Sequence, residues 1–124
     1  MARALIVDDS RATRMILSRT MEESGFEVLT AGNGQEARAV MDREGATVDV
    51  VLVDWNMPVM SGLDFVRDLR QRPEFASVRV VMVTTETEIE QMERALAAGA
   101  DEYVMKPFTR DMIEDKLRMI GALA

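Results

Sequence analysis

Short apolar runs alternate along this chain with stretches of helical period. Residues 4–7 are wholly apolar and stop at Asp8-Asp9, and a weaker run covers 28–31. A third covers 48–53 and ends at Asp54. A fourth covers 78–83 and ends at Thr84-Thr85, and a fifth covers 103–105 and ends at Lys106-Pro107. Apolar runs of this length predict strands buried on both faces, as in a parallel sheet sandwiched between helices.

Between the runs the period changes to that of a helix. Thr13, Ile16, Leu17, Thr20 and Met21 fall at i, i+3, i+4, i+7 and i+8, and Gly25 stands where a left-handed residue ends a helix. Ala37, Val40 and Met41 mark a second helix opened by Asn33-Gly34. Gly62, Phe65, Val66 and Leu69 mark a third that ends before Pro73. Ile89, Met92 and Leu96 mark a fourth closed by Gly99, and Thr109 caps a fifth whose buried stripe is Ile113, Leu117 and Ile120. The pattern is (βα)5. Right-handed crossovers make it an α/β fold with a doubly wound, five-stranded parallel sheet of order 2-1-3-4-5, flavodoxin-like, with strands 1 and 3 at the switch point.

Composition narrows the chemistry. The 124 residues suit one domain, 1–124, and hold 48% hydrophobic and 30% charged side chains, a globular balance. There is no Cys and no His, which excludes disulfides, thiolate or imidazole metal sites, a cysteine nucleophile and histidine-based catalytic pairs. With 15 basic against 22 acidic residues the net charge is −7, which opposes binding to nucleic acid. No run approaches the roughly 18 apolar residues of a membrane span. The first run breaks too early for a secretory signal, so a cytoplasmic location is expected.

Ligands of such a sheet bind beyond the carboxyl ends of its strands. Those ends carry Asp8, Asp9, Asp54, Thr84 and Lys106: three carboxylates, a hydroxyl and an ammonium on one rim. Taken singly, each has an ordinary explanation: helix caps for Asp8-Asp9, a loop residue for Asp54, a strand end for Thr84, a surface cation for Lys106. Together they do not, because clustered carboxylates repel one another. A hard divalent cation such as Mg2+ resolves the repulsion and leaves room for a phosphate oxygen. Metal, lysine and hydroxyl together suit a phosphoryl group, and a carboxylate can itself take the phosphorus as an aspartyl phosphate.

Leu5-Ile6-Val7-Asp8-Asp9-Ser10, Asp54-Trp55-Asn56-Met57-Pro58, Ser61-Gly62, Val83-Thr84, Gly99-Ala100 and Tyr103-Val104-Met105-Lys106-Pro107-Phe108, in that order and spacing, resemble the receiver domain of bacterial two-component response regulators end to end. The likeness is greatest to the stand-alone, CheY-like chemotaxis members. The resemblance implies that Asp54 is the phospho-acceptor and that Asp8, Asp9, Asp54 and the Asn56 backbone carbonyl hold Mg2+. It implies that Lys106 pairs with the phosphate, that Thr84 is the switch hydroxyl, and that Tyr103 turns inward when Thr84 moves. Asn56 and Glu86, two residues beyond Asp54 and Thr84, would tune dephosphorylation. Ordinary readings stand beside two of these: Tyr103 as a half-buried strand aromatic, and Glu86 as an acid at a helix N-terminus.

The resemblance implies a phosphodonor in trans, a histidine kinase or histidine phosphotransfer protein, since the chain has no His. No output domain is expected after the fifth helix, so output would be by protein contact. Apart from its own phosphorylation and autodephosphorylation, no enzymatic activity is expected. Relatives that bind the flagellar motor switch carry lysines at the start of the fourth helix and bind an acidic peptide. Here Glu88 and Glu90 would repel it, although Lys116 matches. The target is thus left open between the motor switch and another kinase, phosphatase or adaptor, and a phosphate sink or adaptor in a non-motility phosphorelay is the alternative. Arg11 and Arg14 read first as a solvated helix face and second as candidates to meet an acidic patch on the donor. An aspartate-nucleophile phosphatase would need a cap domain and an Asp-x-Asp after strand 1, where residue 10 is Ser. A nucleotide or flavin binder would need a glycine-rich first turn, which is absent.

Overall fold

The computed structural model describes residues 2–85 and 88–124. Five strands, β1 (Arg3–Val7), β2 (Glu27–Ala31), β3 (Val50–Val53), β4 (Arg79–Thr84) and β5 (Glu102–Met105), form one parallel sheet of order β2-β1-β3-β4-β5. They alternate with α1 (Arg11–Glu23), α2 (Gly34–Glu44), α3 (Gly62–Arg70), α4 (Ile89–Ala98) and α5 (Arg110–Met119). The expected (βα)5 fold and strand order are therefore the observed ones. Among the described residues no helix is long and apolar enough to cross a membrane.

The central strands carry apolar side chains on both faces, and two cores follow. One joins Val7, Val51, Val53 and Met82 to side chains of α2, α3 and α4; the other joins Ile6, Leu52 and Val83 to Leu17 and Met21 of α1 and Ile113 and Leu117 of α5. Four helices begin at a hydroxyl or amide cap. Ser10, Asn33, Ser61 and Thr109 accept the backbone N–H of Thr13, Glu36, Asp64 and Met112. Gly25 and Gly99, at φ +95 and +118, end α1 and α4. The third strand starts at Val50 rather than at residue 48, because Gly45–Thr47 wind into a 3-10 turn before the chain enters the sheet.

Two predicted stripes are narrower than their spacing suggests. On α1, Leu17 and Met21 are buried but Ile16 is exposed. On α4, only Ala95 is fully buried, while Ile89 and Leu96 stand in solvent. The reason for α4 is its place beside β5, an edge strand with a neighbour on one side only. Half a sheet width gives the helix less surface to cover.

Gly62, at the first position of α3, brings that helix against the turn after β3. Its N–H donates to the Trp55 carbonyl at 2.9 Å, and a β-carbon there would overlap the Asp54 carbonyl oxygen. No side chain fits without moving backbone. Gly62→Ala is therefore expected to lower the stability to urea by about 1–3 kcal/mol and to shift the emission of the adjacent Trp55. A variant as stable as the parent, with unchanged emission, would show that the contact is not tight.

Candidate functional site

The rim residues are fixed by hydrogen bonds that continue the parallel ladder past the strand ends. Asp8 N–H donates to the Ala31 carbonyl at 3.1 Å, Asp54 N–H to the Val7 carbonyl at 2.9 Å, and Lys106 N–H to the Thr84 carbonyl at 2.8 Å. The backbones of Asp8, Asp54 and Lys106 are thus no freer than the sheet itself. Asp8 and Asp54 are buried, at 1% and 7% exposure, while Asp9 is exposed.

Carboxylate oxygens of Asp8, Asp9 and Asp54 lie within 4.8 Å of one another. The Lys106 ammonium answers part of this charge: its Nζ donates to Asp8 Oδ2 at 2.8 Å and to Asp54 Oδ2 at 3.2 Å. Burial pulls the Lys106 pKa down. The Asp8 hydrogen bond and the charges of Asp54 and Asp8 more than offset this, so its pKa is raised and it stays charged. The other oxygens turn to backbone, Asp8 Oδ1 accepting from Ser10 N–H at 2.8 Å and Asp54 Oδ1 from Asn56 N–H at 3.4 Å. One ammonium among three carboxylates leaves negative charge over. The donor set is all oxygen, which fits a hard cation of the Mg2+ type with Asp8, Asp9 and Asp54 around it.

Thr84 is fully buried at the end of β4. Tyr103 pairs with Met82, two residues before Thr84, so Thr84 and Tyr103 belong to the same face of the sheet, the one covered by α4. Tyr103 packs inward in that core at 8% exposure. Asn56 is exposed in the turn after Asp54, and Glu86 lies outside the described residues. The Lys106–Pro107 peptide is cis.

Three features beside the site were not anticipated. Arg14, read as part of a solvated helix face or a donor contact, folds back and donates from Nη1 to the Asp8 carbonyl at 2.5 Å, bracing the turn that carries Asp9. Its place one turn after the Ser10 cap is a usable sequence signal. Arg94 of α4 lies over the Trp55 ring, 5.5 Å from its centroid, a cation–π contact joining α4 to the turn after Asp54. Val59 holds φ +71 at 77% exposure in that same loop, a strained conformation for a β-branched residue that no sequence pattern announced. Flanking Lys106 is an open cleft of about 240 Å³ lined by Thr13, Ile16, Pro107 and Phe108.

Comparison with known proteins agrees with this geometry. Residues 4–118 match the response regulator receiver domain family. The chain is 39% identical over 117 residues to chemotaxis protein CheY1 of Helicobacter pylori, covering 94% of each chain. It is 38% identical over 114 residues to a chemotaxis protein CheY homolog of Campylobacter jejuni, covering 91% of this chain and 87% of that one. The crystal structure of Vibrio cholerae chemotaxis protein CheY4 superposes with a TM-score of 0.89 at 38% identity, over 97% of this chain and 98% of that one. A doubly wound sheet whose strand ends gather three aspartates around a lysine, in a chain this similar to CheY-type proteins, belongs to the response regulator receiver domain family.

Proposed function

We propose that this single module is controlled by phosphorylation of Asp54. The phosphoryl group comes from a phosphohistidine on a histidine kinase or histidine phosphotransfer protein, and the modified chain signals by binding another protein. The observation that carries this reading is the Lys106 ammonium bridging Asp8 and Asp54 within the three-carboxylate cluster. An Asp54 carboxylate oxygen forms the new O–P bond while the N–P bond to the donor imidazole breaks, and the imidazole nitrogen keeps the electron pair. Both partners are anionic, so positive charge must already be in place.

Asp8, Asp9, Asp54 and the Asn56 backbone carbonyl would hold Mg2+. Bound there, the ion would supply positive charge to offset that shared by the carboxylate and the phosphoryl oxygens. Lys106 already touches Asp54 Oδ2, and from there it pairs with an oxygen of the phosphoryl group. Asp8 holds Lys106 in that position through its second hydrogen bond. The Thr84 hydroxyl donates to a further phosphoryl oxygen, and its movement changes the space available to Tyr103 on the same face. The surface from β4 to α5 then has two packings, of which phosphorylation favours one. Asn56 and Glu86 tune the rate at which water returns Asp54 to its free form. The chain catalyses only its own phosphorylation and dephosphorylation. The chemotaxis proteins among its relatives favour a motility pathway, with a phosphate sink or adaptor in another phosphorelay as the alternative.

Trp55, the only tryptophan, sits next to Asp54 and reports on the site. Adding Mg2+ and then a small acyl phosphate is expected to change its fluorescence in two successive steps, and Asp54→Asn should abolish the second. A second step that survives in the variant would remove Asp54 from its role.

The same cluster predicts an effect on stability. Repulsion between carboxylates at this spacing, partly solvated, is worth about 1–3 kcal/mol. Asp9→Asn should therefore stabilise the metal-free protein by about 1–2 kcal/mol while losing most of the stabilisation that Mg2+ gives the parent. Paired urea titrations with and without Mg2+ measure both. A variant less stable than the parent without metal would contradict the electrostatic account.

A further inference from the structure

Asp8 and Asp54 are each held twice, by a backbone N–H on one carboxylate oxygen and by Lys106 on the other. Asp9 has no such hold. Its side chain is exposed and, among the described residues, accepts no hydrogen bond and joins no ion pair. Only its backbone can place it. Peptide units are planar, and the Asp9 α-carbon hangs between two of them. The unit after it is fixed by Ser10 N–H, which donates to Asp8 Oδ1 at 2.8 Å. The unit before it is fixed at the Asp8 carbonyl by Arg14 Nη1 at 2.5 Å. Without Arg14 that unit could turn about the bond from the Asp8 α-carbon, and the Asp9 carboxylate would swing with it.

Helix formation does not explain a cation at this position. Cations near a helix N-terminus oppose its dipole, and the first turn of α1 holds no acid to offset them. Arg14 N–H donates to the Ser10 carbonyl at 2.9 Å, so α1 itself sets where the guanidinium starts. Glu36 offers a carboxylate nearby: a β-carbon on Gly32 would lie 3.0 Å from Glu36 Oε2 and 3.5 Å from Arg14 Nη1. Yet Glu36 accepts from the Gly32 N–H, and Arg14 turns to the neutral Asp8 carbonyl. A guanidinium that passes over a carboxylate for a carbonyl, beside three clustered aspartates, is placed for geometry and not for charge.

We propose that Arg14 is a positioning residue of the metal site: by fixing the Asp8–Asp9 peptide unit it holds the Asp9 carboxylate at the spacing a small cation needs, and so sets a preference for Mg2+ over Ca2+. Mg2+ demands near-octahedral oxygens at about 2.0–2.1 Å, whereas Ca2+ tolerates irregular shells at about 2.3–2.6 Å. Freeing one ligand therefore costs the smaller ion more. A purely electrostatic role has the opposite sign. A cation beside the site repels both metals, and its removal would strengthen both alike. The inference rests on the metal site of the proposed function and adds the residue that makes that site selective.

The test follows Trp55 emission while Mg2+ or Ca2+ is titrated into the full chain at constant ionic strength, with reversal by chelator. Arg14→Gln should weaken Mg2+ binding about tenfold and Ca2+ binding by no more than about threefold. Arg14→Lys keeps the charge and a donor, and should recover part of the Mg2+ loss. Arg11→Gln removes the same charge from the same end of α1 without touching the carbonyl, and should leave both affinities within about twofold. Urea unfolding without metal shows whether each variant is folded. If Arg14→Gln does not fold, Arg14→Lys decides: it should lower the preference for Mg2+ over Ca2+, and an unchanged preference overturns the proposal. The proposal is also overturned if Arg14→Gln binds Mg2+ as well as the parent or better, if both ions weaken equally, or if Arg11→Gln weakens Mg2+ as much. A parent that ignores Mg2+ removes the metal site itself, and this inference with it. A parent that binds Mg2+, beside Arg14 variants that bind it equally, removes only the role of Arg14.

Discussion

The hydrogen-bond ladder of the parallel sheet runs on past the ends of its strands, and the rest of the structure depends on that continuation. Because Asp8, Asp54 and Lys106 each donate a backbone N–H to the neighbouring strand, the sheet sets the spacing of their side chains. A parallel arrangement puts every carboxyl end at one edge, so residues far apart in sequence arrive together. The energetic consequence is a conflict: three carboxylates within 4.8 Å and one ammonium to answer them. Such an arrangement is poor as a stabilising device. The proposed function gives it a purpose, as a place where a cation and an anionic group would be received in turn.

The residues around the site connect this conflict to the surface. Gly62 lets α3 start directly against Asp54, Arg14 braces the turn carrying Asp9, and Arg94 ties α4 to Trp55. A change at Asp54 therefore has packed neighbours on several sides. Thr84 and Tyr103 share one face of the sheet, and Tyr103 lines a groove between β5 and α5.

Much of this was legible in the sequence because strands buried on both faces advertise their ends. The breaks at Asp8, Asp54, Thr84 and Lys106 marked the rim without knowledge of any contact, and Asn33 and Thr109 marked the starts of the second and fifth helices, whereas the caps at Ser10 and Ser61 were not read from the pattern. What stayed hidden depends on where an element sits rather than on its own pattern. Ile89 and Leu96 have the spacing of a buried stripe, yet an edge strand leaves them exposed. Arg14 reads as a surface cation until the fold brings the Asp8 carbonyl within its reach. The backbone of Val59 is set by the loop as a whole, not by its own preference. The expected role of Glu86 falls outside the described residues.

The central claim is that this charged rim exists to move phosphorus onto one carboxylate when a cation is present. Mass spectrometry of the intact chain and of its peptides, after incubation with a phosphohistidine donor with Mg2+ or with excess chelator, tests it most directly. The account predicts one added phosphoryl group, carried by the peptide containing Asp54 and formed only with the metal. Modification at another residue, or equal modification of Asp54 in chelator, would contradict it.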